Sequence, residues 1–216
     1  TASFANVPAL YIADGHHRNA SAVKVGLKKR AENPGYAPDA EFNFYLSVIF
    51  PSNQLFIMDY NRVVKDLNGL SSAEFLVKLG EKFTITDSAD GTPGNRHNFG
   101  LYLDGAWKLL TLKDGIADEN DPVASLDVSV LQTNVLTPLL GIDDPRTNKR
   151  IDFVGGMRGL AELERRVDSG EMAVAFAMFP TSMDELLQVA DAGLIMPPKS
   201  TWFEPKLRSG LFIHTL

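Results

Sequence analysis

The chain has 216 residues, 44% of them hydrophobic and 22% charged, with a formal charge of −6 and no cysteine. Such a composition suits a globular protein with one domain or two small lobes around a real core. The acidic balance argues against a nucleic-acid surface, which needs clustered Lys and Arg, and the lack of Cys excludes disulfides, thiolate zinc sites and a cysteine nucleophile.

No apolar stretch has the length of a bilayer span, and the N-terminus lacks the pattern of a signal peptide. A membrane partner is therefore not expected, and the expected compartment is the cytoplasm. The chain opens on Thr1 rather than Met and meets an apolar run almost at once. It is expected to be the C-terminal portion of a longer protein.

In chain order, Leu10-Tyr11-Ile12-Ala13 reads as a short buried strand, followed by the polar corner Asp14-Gly15-His16-His17-Arg18 and a helix over 19–33. The aromatic and β-branched run at 42–50 reads as a strand, with 54–59 as its antiparallel partner after the turn at Pro51-Ser52-Asn53. Ser71 and Glu74 form a capping box for a helix over 73–82, and 83–86 returns as a strand. Residues 89–98 form a loop. Asp104-Gly105 between 99–103 and 106–112 is a type I′ hairpin signal. An acidic loop at 114–121 precedes a helix over 123–140 that stops at Gly141.

Beyond it, 151–154 reads as a strand, and Gly155-Gly156 leads into a charged helix over 160–167. The apolar run 172–179 reads as a strand buried on both faces. Thr181 is expected to cap a helix over 183–192, and 210–214 forms a final strand. Hairpins in the first half and strand–helix alternation in the second predict an α+β fold on a mixed, partly antiparallel sheet. One domain over 1–216 is expected, with two lobes meeting near 114–122 as the variant.

The corner at 14–18 is the first candidate site. Free backbone N–H groups and the helix dipole point at whatever binds a helix start. Arg18 can grip a phosphate through its planar fork, and the backbone amides of the first turn add further donors. His16 or His17 suits a general acid or base near neutral pH. Asp14 could orient an imidazole or hold Mg²⁺ through water. The plainer alternative makes Asp14 the helix N-cap and the histidines surface residues. Adjacent histidines splay apart, so no zinc is expected.

The second candidate is the proline-stiffened segment Met196-Pro197-Pro198-Lys199-Ser200-Thr201-Trp202-Phe203-Glu204-Pro205-Lys206-Leu207-Arg208-Ser209-Gly210. Lys199, Ser200, Thr201, Lys206 and Arg208 supply phosphate-binding chemistry. The glycines of a Walker loop are absent, and a surface crossover is the alternative. Asp143 to Arg150 reads as a solvated loop with local ion pairs. Asp59-Tyr60-Asn61-Arg62 reads as a strand end with a ligand-facing Asn or Arg, or else as a polar turn.

The segments at 11–18, 59–64 and 196–210 together resemble the bacterial and archaeal domain-of-unknown-function family 1015, over essentially the whole chain. Members of that family are longer at the N-terminus, and the family implies no settled activity. Locally, strand, Asp-Gly-His-His-Arg and helix are similar to the phosphate-binding corner of the ParB and sulfiredoxin superfamily, which includes free-serine kinases. That resemblance implies phosphate contact by Gly15, His17 and Arg18, with His16 and Asp14 beside them. His16 stands where the sulfiredoxin version has Cys, which excludes sulfinic-acid reduction, and the DNA-binding helices of a partition protein are not evident.

The expected function is a nucleotide- or phosphate-binding enzyme, with small-molecule phosphotransfer as the reaction and Mg²⁺ accompanying the nucleotide. Its alternative is a non-catalytic nucleotide-binding regulatory or scaffold protein. The expected partner is a small anionic or phosphorylated ligand.

Overall fold

The computed structural model describes residues 2–204, 206–208 and 210–215. Pro205 and Ser209 of the closing segment, and Thr1, lie outside the described residues. The chain divides into two compact units, Thr1–Phe56 with Phe203–Leu216, and Ile57–Trp202. The acidic stretch at 114–122 falls inside the second unit.

The first unit is built on helix α1 (His16–Glu32). Its Gly26 is buried against the 3₁₀ turn Glu41–Asn43, so closely that a Cβ there would lie 2.9 Å from the Phe42 carbonyl. The three strands expected in this unit do not form. Residues 10–13 and 44–49 run without strand structure, 210–212 bend, and most of their apolar side chains are exposed. A β-prone run becomes a strand only where a neighbouring segment offers its backbone groups. Strands β1 (Phe56–Met58) and β8 (Trp202–Glu204) stand at the two junctions between the units.

The second unit carries β2 (Tyr60–Val64), α2 (Ser72–Leu79), β3 (Phe83–Asp87), β4 (Asn98–Leu103), β5 (Ala106–Leu112), α3 (Asp127–Leu131), β6 (Ile151–Gly155), α4 (Leu160–Asp168), β7 (Val174–Met178) and α5 (Met183–Asp191). Its sheet runs β3-β5-β4-β7-β2-β6, and all of its pairings are antiparallel. The α+β class expected from sequence is the class observed. The β4–β5 hairpin turns on Asp104 and Gly105 at φ 52° and 75°, the positive angles a type I′ turn demands. β7 is buried at every position because helices cover both sheet faces.

Phe75 and Leu79 of α2, Leu131 of α3 and Val189 of α5 join Val64 and Phe176 on one face. Leu163 of α4 joins Val63, Val154 and Ala175 on the other. Alternation along β2 thus sends Val63 to one core and Val64 to the other.

Two helix expectations are corrected. The helix over 123–140 is broken: α3 lasts five residues and passes into a π turn at Gln132–Leu136. Pro138 has no N–H to continue an α ladder, and the bonds around it are of the wider kind, with Thr137 N–H donating to Gln132 O and Leu140 N–H to Val135 O. The cap of α5 is Ser182 rather than Thr181. Ser182 and Glu185 close a capping box, because Glu185 occupies the third helical position.

Among the described residues no helix is long and apolar enough to cross a membrane. The Asp143–Arg150 stretch is a loop holding Arg146 to Asp144 at 3.0 Å, with the Arg150 Nε–H donating to Asp66 Oδ2 at 2.9 Å.

Candidate functional site

Gly15 makes the corner at the start of α1. It adopts φ 76° and is itself the N-cap, with no side chain capping the helix. Asp14 is therefore not the cap. Its Oδ1 accepts from the Gly15 N–H at 2.8 Å instead. The guanidinium of Arg18 folds back over the turn, so that a Cβ on Gly15 would lie 3.0 Å from Arg18 Nη2. Any side chain at position 15 would crowd that group and strain a left-handed backbone. His16, His17 and Arg18 are exposed.

The closing segment reaches this corner within the first unit. Lys206 Nζ lies 3.1 Å from Asp14 Oδ2, across 192 residues of sequence. Partial burial works against ionisation of Asp14. The bonds from Gly15 and Lys206, with the charges of Lys206 and Arg18, outweigh it and hold the carboxyl below its ordinary range. Lys206 thereby neutralises the Asp14 carboxylate, which would otherwise repel an anion. The uncapped helix start also offers donors: first-turn amides, the guanidinium and the imidazole N–H groups. Such a set recognises an oxyanion. Arg208 is exposed further along the same segment.

Lys199, Ser200 and Thr201 belong to the second unit. Ser200 is buried and its Oγ–H donates to Pro197 O at 2.6 Å, so its proton holds the turn and faces no ligand. Thr181 Oγ–H, the expected helix cap, donates to Ser200 O at 3.1 Å and ties the same turn down. Thr201 is half-buried. Lys199 adopts φ 59°, a conformation unusual for a side chain with a Cβ.

The polar strand end is a built structure. Asn61 is fully buried; its Oδ1 accepts the Met178 N–H at 2.8 Å and its Nδ2 donates to Asp59, extending the sheet by side-chain bonds. Gly156 lets Asp59 approach, since a Cβ there would stand 2.0 Å from Asp59 Oδ1. Arg62, buried beneath, donates to the backbone oxygens of Tyr60 and Lys199. Burial pushes the Arg62 guanidinium down to about 10, which leaves it charged at neutral pH.

One cluster escapes sequence reasoning. Asp127, at the start of α3, accepts the backbone N–H of His97 at 2.9 Å, with His97 Nδ1 also 2.9 Å away. Glu119 lies 2.8 Å from His97 Nε2 and 2.9 Å from Arg96 Nη1, while Glu185 lies 3.0 Å from Arg96 Nε. A cavity of about 360 Å³ opens beside Arg96, Ser125 and Gln188. The opposite charges there meet one another, so the cluster reads as a clamp between the 89–98 loop, the 114–126 segment and α5. The only sequence signal was His97 at the end of a glycine-rich loop, where it holds φ 64°.

Residues 1–129 match the family described as a protein of unknown function, DUF1015. The chain belongs to that family. No curated protein matches. Among solved structures it is similar to a free serine kinase in complex with AMP, at 16% identity and TM-score 0.46 over 92% of this chain and 70% of that one. A mutant of a free serine kinase in complex with ADP matches at 19% identity and TM-score 0.44 over the same shares, 92% and 70%. A conserved hypothetical protein from Pyrococcus furiosus matches at 14% identity and TM-score 0.44 over 89% and 68%. A likeness at this level says nothing of what this chain binds.

Proposed function

We propose that the corner at Asp14–Arg18 binds the phosphate of a nucleotide or another small phosphorylated ligand, and that the chain transfers a phosphoryl group to a small acceptor. One observation carries the reading. An uncapped helix start has Arg18 folded over it, and Lys206 arrives from the far end of the chain to neutralise its carboxylate. In the proposed reaction the first-turn amides and Arg18 hold the phosphate oxygens and offset the charge that builds during transfer. Lys206 and Arg208 add positive potential, and His16 or His17 takes the acceptor's proton.

Mg²⁺ would arrive on the nucleotide rather than in a protein cage. Among the described residues no group of three or more His, Asp or Glu is placed to hold a metal ion, and Asp14 is engaged by Lys206 and Gly15. That engagement also supports a second reading, in which the corner binds a nucleotide as a regulatory ligand without turnover. Asp14, so engaged, is not placed to activate a hydroxyl.

Thermal shift of the protein with ATP, ADP, CTP and pyrophosphate, with and without Mg²⁺, tests the reading. A ligand at about 100 times its Kd adds about 2.7 kcal/mol of stability, and Arg18→Ala is expected to abolish the shift. A melting temperature unmoved by all four ligands sinks both readings. Where a shift is found, phosphorus NMR with amino acids and polyols as acceptors separates turnover from binding.

A further inference from the structure

Lys199 is exposed, yet its position is closely defined. Its carbonyl accepts from Arg62 Nη2 at 3.0 Å, and its ammonium lies 3.2 Å from the Tyr60 hydroxyl. The same ammonium stands 5.5 Å from the centre of the Tyr60 ring and 5.8 Å from that of Phe153. Trp202 packs edge-on against Tyr60, their ring centres 5.4 Å apart, and close approach of Trp202 to Gly155 keeps that position free of a side chain. A flexible lysine is thus seated on an aromatic platform.

The hydrogen-bond arithmetic of the pair is one-sided. An ammonium has donors and no acceptor, so in the bond between Lys199 and Tyr60 the phenolic oxygen accepts. The Tyr60 O–H proton is then left to donate elsewhere, and among the described residues it has no acceptor. Two ammonium protons remain as well. A group that meets only donors at such a place is an oxyanion.

The charge balance points the same way. Arg62 is 4% exposed, and its cation lies 5.6 Å from the centre of the Phe153 ring. Its hydrogen bonds go to carbonyl oxygens. Among the described residues neither Arg62 nor Lys199 has a carboxylate within ion-pair distance. A buried cation with no carboxylate in direct contact is costly; Asp127 acts on Arg62 only from beyond ion-pair distance, and two cations against one Phe153 ring leave an excess of positive charge there.

We propose that Lys199 and Tyr60 form an oxyanion-binding subsite for a phosphoryl group, with the buried charge of Arg62 behind it as the positioning element. The subsite is made wholly of residues in the second unit and does not rest on the corner at Asp14–Arg18. Lys199 and the Tyr60 hydroxyl each give a hydrogen bond to the anion. Arg62 fixes the backbone of Lys199 and contributes charge, touching no ligand.

The test is an NMR titration of the whole protein with inorganic phosphate, carried out in an Arg18→Ala, Lys206→Ala background that disables the corner. Saturable shifts centred on Tyr60, Phe153 and Lys199 are expected. Lys199→Gln is expected to abolish them, and Tyr60→Phe to weaken binding about tenfold, as the loss of one hydrogen bond to a charged group does. Lys199 is exposed, so its replacement leaves the fold intact, which circular dichroism checks. Arg62→Lys keeps the charge and is expected to bind within about threefold of the parent, whereas Arg62→Met is expected to lose about tenfold. Shifts that persist unchanged in Lys199→Gln, or no saturable shifts in the background, overturn the subsite. Equal affinity in the Lys and Met variants removes Arg62 from it. Loss of nucleotide binding in Arg18→Ala alone would leave these outcomes untouched.

Discussion

At the scale of single residues, Asp127 has a consequence for stability. Burial pushes its carboxyl up to about 6 from an ordinary 3.8, against the opposing pull of the His97 amide, His97 itself and Arg96. The folded protein therefore holds this proton more tightly than the unfolded chain does. The contribution is fully present below pH 3.8 and is lost as pH rises through about 6. A shift of this size corresponds to roughly 2–3 kcal/mol. Asp127→Asn keeps an acceptor for the His97 N–H and removes the titration. Chemical denaturation from pH 4 to 7 is expected to show a flatter stability profile in this variant than in the parent; an identical slope would refute the assignment.

The corner at 14–18 was legible in sequence because its residues are adjacent. Lys206 at Asp14 and Lys199 at Tyr60 were not, since the pairs stand 192 and 139 residues apart and only folding chooses which cation meets which acceptor. Arg96, His97 and Glu119 lie in two stretches read only as loops, for the same reason: nothing local tells a surface Glu119 from one that grips an arginine.

At the scale of elements, what could be read was what short-range chemistry decides. The Asp104-Gly105 hairpin and the Ser71–Glu74 box depend on residues within one turn of each other, and both are observed. Strands at 10–13, 42–50 and 210–214 depend on a neighbour, and none is supplied. Thr181 was expected to cap α5, but Ser182 is an equally good cap, and the spacing to Glu185 decides for it. Ser182 Oγ accepts from the Glu185 N–H at 3.1 Å, while Glu185 Oε2 accepts from the Ser182 N–H at 2.8 Å. Ser182→Ala is expected to cost about 1 kcal/mol in equilibrium unfolding. Thr181→Ala leaves the box intact and instead frees the Ser200 carbonyl. Its effect is expected as faster amide exchange in 199–201, with α5 unchanged. The opposite pattern would show that Thr181 caps the helix after all.

At the scale of the whole molecule, the two units differ in what holds them. The second has helices on both faces of a six-stranded sheet, and its central strand is buried at every position. In the first, among the described residues only Gly26 and Phe203 are buried, while Leu10, Phe44, Leu46 and Phe212 are each more than half exposed. Local opening is easiest where few apolar contacts must break. Hydrogen exchange of the whole protein is thus expected to be slowest in β4 and β7, through global unfolding of their unit, and faster throughout 2–56. Equal protection in the two regions would contradict this. The difference bears on function, because the proposed phosphate corner lies in the less buried unit. Nucleotide bound there supplies contacts that the unit lacks by itself, so added ADP is expected to slow exchange at the first-turn amides of α1 more than anywhere in the sheet. Slowing spread evenly over both units would point to a binding place other than Asp14–Arg18.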